Sequence, residues 1–174
     1  MNSATFPILT TERLTLRQLS PDDQQDIFAL RSDPEINKFL NRPPCRTNED
    51  AINFIKKVND NIEKGGTYYW AITLTATKAL AGTICLFDLS RENNSCETGY
   101  ELLAKFQGQG IMKEAVQAVT DFVFLTLKLK KILAFTHTGN QHSTNLLLKF
   151  NFVKSAETDK ENPDLDLFTL TRPY

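Results

Sequence analysis

The sequence predicts a mixed α+β fold: a largely antiparallel central sheet of six to seven strands flanked by about four helices, in a single domain covering residues 1–174. Three observations predict it. Stretches of period-two alternation outnumber helical ones. Three strand-like runs follow one another between residues 68 and 103 with only turns between them. A glycine-bearing turn, Gln107-Gly108-Gln109-Gly110, then leads from the last of these into an amphipathic helix.

The elements follow in order. Leu14, Leu16 and Leu19 alternate with polar residues and read as a first strand. Ser20-Pro21-Asp22-Asp23 is a helix start, with serine as cap, proline at the first position and acids in the first turn. Asp33-Pro34 and Arg42-Pro43-Pro44 punctuate a loop-rich stretch. Thr47 and Asp50 form a capping-box pair opening a second helix, which runs to about Lys64 and ends at Gly65-Gly66. The strands Tyr68–Thr75, Leu80–Leu89 and Cys96–Leu103 form an antiparallel meander with turns at Thr77-Lys78 and Ser90–Ser95. Ile111, Ala115, Ala118, Val119 and Phe122 fall at helical spacing in a helix reaching about Leu127. A buried strand at Ile132–Thr136, a short helix at Ser143–Phe150, and closing strands at Phe152–Glu157 and Leu165–Leu170 complete the chain.

Composition excludes several functions. A net charge of −1 offers no clustered basic face for nucleic acid. The one tight basic run, Lys128, Lys130 and Lys131, reads as the solvated junction of a helix and a strand. Cys45, Cys85 and Cys96 have no CxxC spacing, and with only His137 and His142 beside them no metal site is expected. No window approaches a membrane span and the N-terminus lacks a signal-peptide pattern, so a soluble cytoplasmic protein with free thiols is expected.

The turn at Gln107–Gly110 is the one motif that carries chemistry. Glycines let the backbone approach a ligand closely and adopt positive φ. The amides of the turn and first helical residues lack intrahelical partners and coincide with the positive end of the helix dipole, which makes an anion site fit for a pyrophosphate. Gln107 and Lys113 add side-chain donors. A plain strand-to-helix turn explains the same glycines, so the motif alone does not decide. There is no GxxxxGK[ST], and Lys113 stands where GxGxxG needs a small residue, so neither a P-loop nor a dinucleotide-binding unit fits.

Gln107-Gly108-Gln109-Gly110-Ile111-Met112 resembles the coenzyme A loop of the GNAT acetyltransferases, Q/R-x-x-G-x-G/A, with Met112 departing at the sixth position. The resemblance extends nearly end to end, toward the branch that includes ribosomal-protein N-terminal acetyltransferases. Thr11–Arg17 is similar to that branch's opening strand, Gly82-Thr83-Ile84 to its central hairpin strand, and Cys96–Leu102 to the strand entering the loop. Lys113-Glu114-Ala115 is similar to its helix start, and Asn140-Gln141-His142-Ser143 to its N-x-x-S element. Lys149-Phe150-Asn151-Phe152 stands where the family has Leu-Gly-Phe; Asn151 replaces the glycine, and asparagine also tolerates the left-handed conformation.

The resemblance implies a GNAT-like fold and acetyl transfer from acetyl-coenzyme A to an amine by direct attack on the thioester. It implies that backbone groups near Leu102 and Leu103 pair with the pantetheine arm, one amide stabilising the oxyanion. The residues Gln107, Gly108, Gln109, Gly110, Ile111, Met112 and Lys113 would hold the pyrophosphate, with Asn140 and Ser143 also on the coenzyme side. Ser143 is the candidate proton donor to the leaving thiolate, or else the N-cap of its helix. Glu97 is the candidate base, or else a solvated strand carboxylate. Tyr100 faces opposite Glu97 by strand alternation and is a secondary candidate acid.

The expected partners are acetyl-coenzyme A and an amine acceptor, a peptide N-terminus or a small amine. A coenzyme-A-binding module without catalysis and an unrelated nucleotide binder are the competing readings. The loops expected to meet the acceptor, Glu35–Asn48 and Thr158–Asp166, carry no recognisable code. The acidic residues Glu157, Asp159, Glu161, Asp164 and Asp166 either attract a cationic amine or form a solvated acidic loop.

Overall fold

Leu14 and Leu16 alternate with polar residues, and in the computed structural model, which describes residues 5–157 and 160–172, both leucines are fully buried on one face of a strand. That strand, β2 (Leu14–Arg17), hydrogen-bonds to a two-residue strand β1 (Leu9–Thr10) and to β3 (Tyr68–Leu74). The expected meander is present as β3, β4 (Leu80–Ser90) and β5 (Ser95–Leu102), antiparallel throughout. After β5 come β6 (Lys131–His137), β7 (Val153–Lys154) and β8 (Leu165–Thr171). The sheet order is β1-β2-β3-β4-β5-β6-β8-β7, and only β5 and β6 run parallel. A parallel neighbour requires a crossover, and the helix α4 (Ile111–Asp121) supplies it.

The sheet has eight strands where six to seven are expected, because the short β1 pairs through backbone bonds alone and carries no period signal. The described helices number five: α1 (Gln24–Ser32), α2 (Pro34–Asn37), α3 (Asn48–Lys64), α4 and α5 (Gln141–Lys149). The extra one, α2, lies in the stretch read as loop. Asp33 caps it, accepting from the amides of Glu35 at 2.8 Å and Ile36 at 3.3 Å. The predicted strand Phe152–Glu157 is reduced to Val153–Lys154. The helix expected to reach Leu127 is regular only to Asp121. It continues as a single π-turn over Phe122–Thr126, closed by the Leu127 amide on the Phe122 carbonyl at 3.0 Å.

Both predicted caps form. Ser20 with Asp23 and Thr47 with Asp50 are reciprocal capping boxes. Helices cover both faces of the sheet. On one face α4 and α5 pack through Ile111, Ala115, Val119 and Leu147 onto Trp70, Ile84 and Phe168. On the other, α1 and α3 pack through Ile27, Leu30, Ile55 and Val58 onto Ala71 and Leu80. Asn151 adopts the left-handed conformation at φ 63° between α5 and β7, as the turn there demands. No described helix is long and apolar enough to cross a membrane.

Candidate active site

The parallel ladder between β5 and β6 is short. It pairs Ser95 with Lys131, Cys96 with Ile132 and Glu97 with Leu133, and no further. Beyond Glu97, β5 stays with β4 through Leu102, while β6 stays with β8 through His137. The two strands therefore splay, and a cleft of about 700 Å³ opens between them. Glu97, Thr98, Gly99 and Tyr100 line it from β5, Phe135 and His137 from β6, and Asn140 and Ser143 from the start of α5.

Splaying leaves backbone groups without a strand partner. The Leu103 amide donates to the Ala81 carbonyl at 2.8 Å, and Gly82 pairs with Leu102. Alternation along an antiparallel ladder then turns the amides and carbonyls of Leu102, Tyr100 and Thr98 toward the cleft. The Leu102 amide is directed away from β4, while its carbonyl accepts from the Gln107 side-chain amide at 3.0 Å. Leu103, expected to offer its backbone alongside Leu102, does not: its amide is held by β4.

Two ionisable groups in the cleft are perturbed. Burial, with the Asp88 carboxylate nearby, pushes the Glu97 carboxyl up to about 7. Asp88 sits at the irregularity where the β4–β5 register shifts, with φ 48°. The Tyr100 phenol lies 3.0 Å from the Ser143 hydroxyl, and burial pushes it up to about 12 despite that hydrogen bond. It therefore keeps its proton through the neutral range. By alternation Tyr100 leaves the strand on the face opposite Glu97, yet both reach the cleft because β5 forms its edge.

Ser143 is not a cap. The helix begins two residues earlier than expected, and its N-cap is Asn140, whose Oδ1 accepts from the Ser143 amide at 3.2 Å. The Asn140 cap fixes the backbone of Ser143 and leaves the serine hydroxyl for Tyr100.

The glycine turn adopts its expected geometry, with Gly108 at φ 74° and Gly110 at φ 77°. Gly110 is the N-cap of α4, and a side chain on Gly108 would meet nothing within 4 Å. The amides of Ile111, Met112 and Lys113 open the helix, while the side chains of Ile111 and Met112 are buried in the core. Met112 thus departs from the family pattern on the side away from the turn. Gln107 and Gln109 turn their side-chain amides back on the carbonyls of Leu102 at 3.0 Å and Lys105 at 2.9 Å, which steadies the turn.

A clamp that sequence reasoning did not find holds this turn. Glu114, in the first turn of α4, accepts from the Thr11 hydroxyl, from the Arg13 amide at 2.8 Å and from the Arg13 guanidinium at 2.8 Å. Arg13 also donates to the Gln109 carbonyl at 3.0 Å. Burial alone would raise the Glu114 carboxyl, but these donors outweigh it and hold it below the ordinary range. Thr11, Arg13 and Glu114 all lie in segments similar to the family's, but nothing local in the sequence pairs residues a hundred positions apart.

A second unforeseen pair lies on the other side of the cleft. Arg42 donates to Asn37 at 2.7 Å and to Glu101 at 2.5 Å, and so holds the segment containing Phe39 and Leu40 against β5. Phe39 packs against His137 with ring centroids 5.0 Å apart and the rings tilted by 31°, and His137 Nδ1 accepts from the Gly139 amide at 3.0 Å.

Burial pushes the Cys85 and Cys96 thiols up to about 12, which leaves them poor nucleophiles. Lys128, Lys130 and Lys131 are exposed. Among the acidic candidates, Asp166 is paired with Lys154 at 2.9 Å, and Asp159, with Thr158, lies outside the described residues. Among the described residues no three potential ligands gather as a metal site.

Residues 13–153 match the family model of the acetyltransferase (GNAT) domain. The chain is 34% identical over 151 residues to the uncharacterized N-acetyltransferase YoaA of Bacillus subtilis (strain 168), covering 87% of this chain and 85% of that protein. It is 25% identical over 156 residues to the ribosomal protein uS5-alanine N-acetyltransferase of Escherichia coli (strain K12), covering 85% and 79%. RimL, a ribosomal L7/L12 α-N-protein acetyltransferase solved in complex with coenzyme A, shares the fold with a TM-score of 0.83 at 18% identity, covering 95% of this chain and 98% of that one. The match of a family model to most of the chain, with a relative 34% identical across it, makes this protein a member of the GNAT acetyltransferase family.

Proposed function

We propose that this protein moves an acetyl group from acetyl-coenzyme A to a primary amine, such as the α-amine of a peptide or protein N-terminus, without an acetylated enzyme intermediate. The observation that carries the reading is that Glu97 and Tyr100 from β5 and Ser143 from α5 line one cleft where β5 and β6 part. The cosubstrate supplies the activated acetyl group. The turn at Gln107–Lys113 suits its pyrophosphate because both glycines are at positive φ and the helix amides face outward without intrahelical partners. The backbone groups of Thr98 and Tyr100 and the amide of Leu102, beyond the end of the β6 ladder, suit an extended, amide-bearing arm.

Each polar side chain then has a proton to handle. Glu97, with a carboxyl near 7, takes one from the incoming ammonium, directly or through water. Ser143 gives one to the departing thiolate and takes the proton of the Tyr100 phenol in its place, and the resulting phenolate recovers a proton from water before the next turnover. Asn140 positions Ser143 through its backbone. A reducing cytoplasm suits the three free thiols.

Release of free thiol from acetyl-coenzyme A, followed against a panel of amines, tests the reading, with calorimetry of coenzyme A binding alongside. Amine-dependent thiol release supports it. Tight coenzyme binding with no thiol release from any amine would assign the protein to a non-catalytic role.

A further inference from the structure

The wall of the cleft opposite β5 carries large apolar side chains among its polar ones. Phe135 and His137 project from the same face of β6, directly opposite Leu167 and Leu165 on β8. Phe39 extends this surface by packing its ring against that of His137. Beside it, Leu40 remains 40% exposed and Phe135 38% exposed, so two of the large exposed hydrophobic side chains turn toward this one cleft from unconnected segments. Among the described residues no lysine or arginine lines it, whereas Glu97, Glu161 and Asp164 do. The cleft therefore offers negative charge near the position where the acetyl group is transferred and an aromatic and aliphatic surface next to it.

Resting on the acetyltransferase reading above, we infer that the acceptor is an α-amine whose neighbouring side chain is large and apolar, lodged against Phe39, Leu40 and Phe135 while the ammonium faces Glu97. A polyamine satisfies the charge but leaves the apolar wall wet. An N-terminal alanine or serine satisfies the reacting nitrogen but reaches too little of the wall to cover it. A large apolar side chain removes both its own surface and that of the wall from water.

The test is a set of tripeptide amides differing only in the first residue, phenylalanine, leucine, alanine or serine, with spermidine as a further acceptor. We expect kcat/KM for phenylalanine- and leucine-starting peptides to exceed that for alanine and serine by at least about tenfold, chiefly through KM. Phe135→Ala is expected to compress that ratio toward one. Leu40→Ser, a loop change that leaves the core untouched, is expected to compress it partly and serves if Phe135→Ala fails to fold. Equal kcat/KM across the peptides, or a preference for alanine, serine or spermidine, overturns the inference and leaves the acetyltransferase reading standing. Absence of thiol release with every one of these amines overturns the reading itself, and the inference with it.

Discussion

Tyr100 and Ser143 share a hydrogen bond of 3.0 Å between hydroxyls that lie on a strand and at the start of a helix, 43 residues apart. The link exists because Asn140 caps α5 in place of Ser143, freeing the serine hydroxyl. As the proton route to the thiolate, the pair matters only once the carbon–sulfur bond is breaking. Ser143→Ala is therefore expected to lower kcat by roughly a hundredfold or more with little change in acetyl-coenzyme A affinity. Tyr100→Phe should lower it less, since the serine keeps its own proton. Steady-state kinetics with calorimetry decides it. Loss of coenzyme affinity with unchanged turnover of the bound complex would make Ser143 a binding residue only.

The raised carboxyl of Glu97 gives a pH dependence of definite sign. A base works when deprotonated, so activity should rise as pH passes about 7, and Glu97→Gln should be slow and lack that limb. Stability runs the other way. A carboxyl that holds its proton more tightly folded than unfolded stabilises the protein below the unfolded value, and that contribution is lost as pH rises through about 7. The Gln variant, which cannot ionise, should show a flatter dependence of Tm on pH between 4.5 and 7. An unchanged pH–rate profile in Glu97→Gln would remove it as the base.

In the turn, Gly108 is the cleaner probe of anion binding. A side chain there meets nothing within 4 Å, whereas one on Gly110 comes within 3.4 Å of the Arg13 guanidinium. Gly108→Ala should cost about 1–2 kcal/mol of stability for its positive φ. Gly108→Val should remain folded yet lose most coenzyme A affinity, because the branched side chain stands between backbone and phosphate. Gly110→Val is expected to abolish binding as well. Unchanged calorimetric affinity in Gly108→Val would take the turn out of the coenzyme site.

Glu101 is 7% and Arg42 21% exposed in their side chains, so their ion pair is largely desolvated. The other carboxylate oxygen of Glu101, Oε1, is buried with no hydrogen-bond partner among the described residues. Removing Arg42 would strand the charge, and Arg42→Ala should destabilise by about 3 kcal/mol or more. Replacing both residues, as Arg42→Met with Glu101→Leu, should recover much of that loss. Because Arg42 also holds the segment bearing Phe39 and Leu40, the single variant should raise KM for the amine more than for acetyl-coenzyme A. Thermal melts and the two KM values check this together.

Proton availability favours one class of amine. An α-amine has a pKa of about 7.7–8.0 and a lysine side chain about 10.4. Near neutral pH roughly a tenth to a third of α-amines are neutral, against about one lysine in a thousand. With Glu97 as the candidate base, short peptides with a free N-terminus should be better acceptors by kcat/KM than N-blocked peptides carrying lysine. Faster acetylation of the blocked peptide would point to a stronger base elsewhere.

The features legible in the residues alone are local. Alternation at Leu14 and Leu16, the capping boxes at Ser20 and Thr47, and the paired glycines at 108 and 110 each encode their geometry within a few residues, and each adopts it. Motif resemblance placed the chain in its family because the motifs are such local segments at fixed order. The remaining features depend on contacts between distant segments. The early departure of β6 from β5 sets the cleft, and no period or propensity encodes where a ladder stops. The Arg13–Glu114 clamp, the Arg42–Glu101 pair and the Tyr100–Ser143 bond each join residues that the fold alone brings within 3.0 Å. The exchange of roles between Asn140 and Ser143 turned on two residues of helix, since both are good caps and only packing selects which one begins the helix.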